Sequence, residues 1–406
     1  MKHISLISTK GLEMKKSLFA VAAALSFGAT AQAQSSVTVY GILDVGYFNQ
    51  KSDGAGTSTT TKANNSYIGQ GGEQTSRLGF RGTEDLGGGN SAFFTVETAL
   101  QPANATASTW TNRQSFAGIK SNSIGAVAFG TQYTPIFNQL SATDVGQTNQ
   151  MPGSAVYPQV STQNNGNPGT KPFAAPSSPG NATDGFTTRT SNTLTLKSNT
   201  FAGFKLGAAL VQNGSKTTPT NTGATENNYT GWGVQADYTW QKLYVGLAYQ
   251  ALKSSNLSPT TTLTSPTPEV WSTAGGGVNT QDNQAYAAAT YDFGILKAYL
   301  QYVNRKATST LNTGYYAKRS AQQIGVRSYI TPTIEGWANI GNGSVSAFGV
   351  GKPTANFVAW QAGLNYYLSK RTNFYGIYGT NNLSSAAPVN PALNTSAFGL
   401  GIRHTF

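Results

Sequence analysis

Over most of this chain apolar residues recur at every second position, and each such run stops at a turn signal. In residues 356–369, NFVAWQAGLNYYLS, Val358, Trp360, Ala362, Leu364, Tyr366 and Leu368 fall on one face. Gln361, Gly363 and Asn365 fall on the other. In residues 396–406, Phe398, Leu400, Ile402 and Phe406 alternate with Gly399, Gly401 and Arg403. Trp232, Val234, Ala236, Tyr238 and Trp240 form a third row, opposite Gln235 and Asp237. A period of two with one apolar and one small or polar face predicts β-strands. In a soluble sandwich the apolar face turns inward. In a transmembrane barrel it turns to lipid, and the polar face lines a lumen.

About sixteen such segments are readable: 36–49, 73–84, 90–101, 110–121, 125–133, 186–198, 203–213, 228–240, 242–253, 282–293, 295–306, 318–330, 334–344, 355–369, 372–382 and 394–406. Their connections alternate between short and long. Short ones lie at 85–90, 122–124, 200–202, 241, 294, 331–333 and 370–371, and long ones near 50–72, 134–185, 214–227, 254–281 and 383–393. Short turns at one end and long loops at the other are what a membrane barrel requires, and the even strand number agrees. The expectation is one all-β domain, a 16-stranded antiparallel transmembrane β-barrel with long extracellular loops.

Tyr238, Trp240, Tyr291, Phe293, Tyr366, Tyr367, Phe374 and Tyr375 cluster at segment ends. Interfacial aromatic girdles explain this, as does the plain β-propensity of aromatics. Composition narrows the choice further. Charged residues are 10% of the 406, apolar residues are 38%, and there are 46 glycines. The absence of cysteine removes disulfides, thiolate nucleophiles and Cys-ligated metals. The two histidines give little support to a catalytic triad or a zinc site, so no cofactor is expected.

Lys15 and Lys16, the apolar run LFAVAAALSF at 18–27, and Ala31-Gln-Ala33 predict a signal peptide over 1–33. On that reading, residues 1–13 before Met14 are an over-extended start and the mature domain is 34–406. The mature part holds 23 basic against 14 acidic side chains, a net +9. No later stretch has eighteen consecutive apolar residues, which excludes helical spans but not a barrel. The basic residues are spread singly through strands, with no run or basic helix, so nucleic acid is not an expected partner.

Alternation puts Arg77 and Arg81 with Gly79, opposite Leu78 and Phe80. Arg113 falls with Ser115 and Ala117. Arg189 falls with Thr187, Ser191, Thr193 and Lys197, opposite Leu194 and Leu196. An arginine facing lipid costs roughly 2–4 kcal/mol near the midplane, so these side chains are assigned to the lumen. There they favour anions, unless they are merely solvated or locally paired. Asp44, Glu97 and Asp237 share the polar faces and are candidate partners. The connection 134–185 is too long for a hairpin and is a candidate to narrow the lumen. Its acidic residues are Asp144 and Asp184, and its one base is Lys171.

Several stretches resemble the general diffusion porins of the Gram-negative β-proteobacterial type, which include the neisserial porins. They are SSVTVYGILDVG at 35–46, SRLGFRGTEDLGGG at 76–89, FTVE at 94–97, NRQSFAG at 112–118 and GLGIRHTF at 399–406. The resemblance implies an outer-membrane location, a homotrimer and a third loop folded into the lumen. It also implies a terminal Phe406 read by the outer-membrane assembly machinery. Constriction arginines from the second, fourth and sixth strands map onto Arg77, Arg113 and Arg189. With Arg81, Glu97 and Asp144 these form the candidate constriction. The surroundings it implies are outer-membrane lipid and lipopolysaccharide.

Two departures stand out. The family's Gly-Arg-Gln, whose arginine tends to serve subunit contacts, is Gly130-Thr131-Gln132 here. The third loop lacks the usual acidic, proline-marked segment. The expected function is passive diffusion of small hydrophilic solutes and ions, with anions preferred. The alternative is a porin specific for a small anionic solute such as an organic acid or phosphate. An outer-membrane enzyme is disfavoured, because the one mature histidine, His404, alternates with Leu400 and Ile402 on the outward face. A secreted lectin or adhesin of sandwich type remains a fourth reading, distinguished by solubility without detergent.

Overall fold

A computed structural model of the chain describes residues 36–55, 60–103, 110–157, 188–213, 227–256, 280–309, 316–347, 354–384 and 392–406. The expected signal peptide, Lys171 and Asp184 lie outside the described residues. The strands are β1 (Ser36–Ala55), β2 (Thr60–Gln70), β3 (Arg77–Gly87), β4 (Asn90–Ala99), β5 (Asn112–Ser121) and β6 (Gly125–Tyr133). A helix, α1 (Pro135–Thr143), follows. Then come β7 (Arg189–Ser198), β8 (Phe204–Asn213), β9 (Asn227–Trp240), β10 (Leu243–Asn256), β11 (Thr280–Asp292) and β12 (Lys297–Ser309). The last five are β13 (Tyr316–Thr331), β14 (Ile334–Ala347), β15 (Thr354–Tyr367), β16 (Thr372–Leu383) and β17 (Ala392–Thr405).

Neighbouring strands pair antiparallel all the way round, and β1 pairs with β17 to close the sheet. β2 and β3 both pair with β1, through residues 45–55 and 36–42 respectively, so they are two halves of one stave. The result is a closed barrel of sixteen staves. The terminal residue belongs to the seam: Phe406 and Gly41 exchange two backbone hydrogen bonds of 3.1 Å. No helix among the described residues is long and apolar enough to cross a membrane. The crossing is made by strands, whose backbone groups are paired within the closed sheet.

The two faces separate as the alternation predicts. On β15, Val358, Trp360, Leu364 and Tyr366 are exposed, whereas Gln361 and Asn365 are buried. Exposed apolar side chains form the outer band, with Leu364 at 55% exposure near its middle. One expectation fails. The connection expected at 50–72 is mostly strand, because β1 runs to Ala55 and β2 starts at Thr60. Apart from Tyr67 and Ile68 near its base, this hairpin is built of small and polar residues. It therefore carries no apolar alternation to read, although its backbone ladder is intact.

Leu364→Arg is expected to cost about 2–4 kcal/mol of folding stability in lipid vesicles, as for a cation on the lipid face. Reversible denaturant unfolding of the reconstituted protein measures it, with Leu364→Ala as the size control.

Candidate functional site: an arginine wall and the segment facing it

Three of the expected arginines come together. Arg77, Arg113 and Arg189 line a cavity of about 240 Å3 with Tyr133, Tyr157, Gln147, Thr148 and Gln150. Each sits at an irregularity in its stave. Arg77 opens β3 immediately after the 71–76 break, and its Nε donates to the Thr75 carbonyl at 3.0 Å. At the break Gly71 has φ +77°, and a Cβ on Gly72 would meet the Phe48 ring and the Tyr375 hydroxyl. Arg113 is the extra residue of a bulge: Asn112 pairs with Thr98 and Gln114 with Glu97. Bulges re-aim side chains, and this one turns Arg113 inward. Arg189 precedes a second register shift, opposite Gly130–Gln132, where Asn192 takes φ +52°.

The bulge corrects one sequence expectation. Ser115 and Ala117 do not share the face of Arg113, because Gln114, Phe116 and Gly118 follow it inward. The charges are incompletely matched. Glu97 is buried and accepts from Arg113 Nε at 2.7 Å and from the Tyr40 hydroxyl at 3.2 Å. Arg113 Nη2 donates to the Tyr133 hydroxyl at 3.3 Å, and the Arg189 guanidinium lies 5.8 Å from the Tyr133 ring centre. Arg81 is not in the group. It is exposed, stacks 5.3 Å from the Tyr40 ring centre, and lines a separate groove with Thr38, Thr95 and Lys120.

The facing side is built by α1 and residues 144–157. Thr134 caps α1, its Oγ1 accepting from the Phe137 N–H at 3.1 Å, and Pro135 occupies the first turn. The helix buries Ile136, Phe137 and Leu140 against Ala248, Tyr286 and Ala288, on the face opposite the exposed apolar rows. Polar contacts fix its position. Gln139 donates to Asp237, Asn138 to Gln235 at 3.0 Å, and Thr143 bonds the Tyr286 hydroxyl at 2.7 Å.

The segment then runs along the same face. Arg327 holds Glu335 through Nε and Nη2 at 2.6 and 2.9 Å while its Nη1 donates to the Val145 carbonyl at 2.6 Å. Asn149 donates to Gln361 at 2.6 Å, and the Ala155 N–H donates to Gln323 at 2.8 Å. The Gln150 N–H closes onto the Gly72 carbonyl at 3.1 Å. Close approach needs small wall residues: a Cβ on Gly379 would run into the Pro152 carbonyl.

Several expected residues have other surroundings. Asp144 is 4% exposed and turned to the wall, not to the arginines. It accepts from the Thr148 N–H at 2.6 Å and from Gln323 at 3.5 Å. Burial pushes its carboxyl up, and the Thr148 hydrogen bond pulls it back. Asp44 pairs with no arginine. It accepts from the N–H groups of Glu73 and Gln74 and from the Tyr375 hydroxyl, and so braces the 71–76 break. Thr131 is buried inside this chain and accepts from Asn112 at 3.4 Å. The anchors Arg319, Gln323 and Arg327 escaped the sequence reading, although they stand at period two on β13.

Residues 20–386 match the Gram-negative porin family. Outer membrane porin protein 32 of Delftia acidovorans is 27% identical over 365 residues, covering 89% of this chain and 88% of that protein. Among solved structures, an anion-selective porin from Comamonas acidovorans superposes with a TM-score of 0.67 at 22% identity, over 92% of this chain and all of that one. OmpT of Vibrio cholerae in its trimer form gives a TM-score of 0.57 at 13% identity, over 92% and 99% of the two chains.

Arg327→Ala leaves Glu335 buried without its cation and frees the Val145 carbonyl. A loss of about 3–5 kcal/mol is expected, read as a lower urea midpoint, together with faster proteolysis within 144–157.

Proposed function

This chain belongs to the Gram-negative porin family and is an outer-membrane porin, and from that premise we propose that it is an anion-preferring diffusion channel. Its narrowest part lies between the arginine wall and the 135–157 segment. The observation that carries this reading is the charge at that cavity: three guanidinium groups line it, and Glu97 is the one carboxylate paired there. A unit charge about 5 Å from a passing ion is worth about 1–3 kcal/mol at effective dielectric constants between roughly 80 and 20. Two uncompensated arginines therefore favour an anion over a cation by roughly tenfold or more, less so as salt screens them.

Arg81 and Lys120 line the groove on the short-turn side of the cavity, and they extend the favourable potential along the exit path. Size exclusion comes from the anchored segment, whose buried polar contacts resist displacement. Passage needs no energy coupling, and the wall supplies orientation only. The assembly proposed is a homotrimer, supported by the trimer form of the Vibrio cholerae OmpT that shares the fold. Phe406, at the closing seam, is proposed as the assembly signal.

Reversal potentials in planar bilayers under a potassium chloride gradient test the proposal. The wild type is expected to prefer chloride, and the triple change R77Q/R113Q/R189Q to lower that preference roughly tenfold. Glu97→Gln is expected to raise it, because it frees the Arg113 charge. A cation-preferring wild type overturns the arginine assignment. Conductance that saturates with a dicarboxylate or phosphate selects the solute-specific alternative.

A further inference from the structure

The cavity at the arginine wall has a second side that ion preference does not use. Tyr133, Phe137 and Tyr157 line it together with Arg77, Arg113 and Arg189. Their rings form a chain, Tyr133 to Phe137 at 4.7 Å between centres and Phe137 to Tyr157 at 6.0 Å. Tyr133 joins the two sides. Its hydroxyl accepts from Arg113, the Arg189 guanidinium lies over its ring, and Phe137 packs on that ring. The charged side also holds donors that the fold leaves unused. The Arg189 Nε and the neighbouring Thr188 hydroxyl are buried and have no hydrogen-bond partner among the described residues. Glu97, the carboxylate paired at this wall, is taken by Arg113. Buried polar groups without partners are costly, so two of them side by side at one cavity point to an occupant that accepts from them.

Charge, rings and volume together specify a ligand. An arginine with an open Nε presents a planar fork of donors that fits a carboxylate. Aromatic side chains favour a further ring, edge-on or offset. The cavity holds about 240 Å3, whereas an apolar cavity of about 150 Å3 already accepts benzene. The surplus leaves room for one carboxylate. Beyond the three arginines every described lining residue is uncharged, so a second carboxylate at the ring side would meet no cation. We infer that the cavity is a selective site for a monocyclic aromatic monocarboxylate, with its carboxylate on Arg189 and Thr188 and its ring against Tyr133, Phe137 and Tyr157. Chloride or phosphate uses the charged side alone, and a neutral arene the ring side alone. The inference rests on the arginine wall as the narrow, anion-attracting part of the channel, and it adds the class of solute retained there.

The test uses the full protein in planar bilayers at neutral pH, with block of the chloride current as the readout and benzoate as the probe. Acetate carries the charge without the ring, and benzamide the ring without the charge. Glucuronate carries a charged, hydroxylated ring that is not aromatic. Benzoate is expected to block at a roughly tenfold lower concentration than any of the three. Phe137→Leu and Tyr157→Leu are each expected to lower the benzoate-over-acetate ratio severalfold, a ratio in which changes of pore size cancel. Arg189→Gln is expected to weaken both blocks. Lys62→Gln, at an exposed lysine paired with Asp53, is expected to leave the ratio unchanged. Block by acetate or benzamide equal to that by benzoate, or stronger block by glucuronate, overturns the ligand class while the chloride preference stands. Cation preference of the wild type overturns the arginine reading beneath it. Should the leucine variants not fold, the comparison of the four probes on wild type decides by itself.

Discussion

Hydrocarbon offers no hydrogen bonds to a peptide group, and that constraint shapes this molecule more than any contact between side chains. Every N–H and C=O across the membrane must find a partner in the chain, which a sheet achieves only by closing. Closure falls at β1 and β17, where the last residue, Phe406, exchanges backbone hydrogen bonds with Gly41. Once the sheet is closed, period-two alternation assigns every side chain to lipid or lumen. The arginines are affordable only on the inner side.

The interior poses a second problem. The segment 135–157 lies against the inward face of the sheet. It is held by two kinds of contact. Ile136, Phe137 and Leu140 pack on alanines and a tyrosine of the inner wall, a small hydrophobic core inside a polar face. Around that core, Arg319, Gln323 and Arg327 of β13 and Gln361 of β15 hold backbone or amide groups of the segment. A nine-residue helix has little stability alone. Its place is set by these partners, while no ion pair among the described residues involves Arg77 or Arg189 on the facing side.

Much of this was legible along the chain. Each of the sixteen staves shows in the alternation wherever it crosses lipid, because lipid demands an unbroken apolar row. Legibility ended where that demand ends. The hairpin formed by the end of β1 and by β2 is built almost wholly of small and polar residues, so it carries no alternation to separate it from a loop. The bulges at Arg113 and Asn192 were invisible because an inserted residue changes register without changing composition. Asp144 looked like a lumenal acid because its sequence neighbours give no hint of Gln323, which reaches it from 179 residues away.

Alternation, turn spacing and the cost of an arginine in lipid thus point, from the sequence by itself, to the barrel, its strand count and an inward assignment of Arg77, Arg113 and Arg189. They do so because each is a rule about neighbours one or two residues apart. Tertiary structure alone decided which inward cations stand together and which are neutralised. Arg77, Arg113 and Arg189 meet because the 71–76 break and two bulges aim them at one cavity. Arg305, Arg327 and Arg403 are matched by Asp282, Glu335 and Glu73. Such pairing depends on register between staves, which no single stretch of chain encodes.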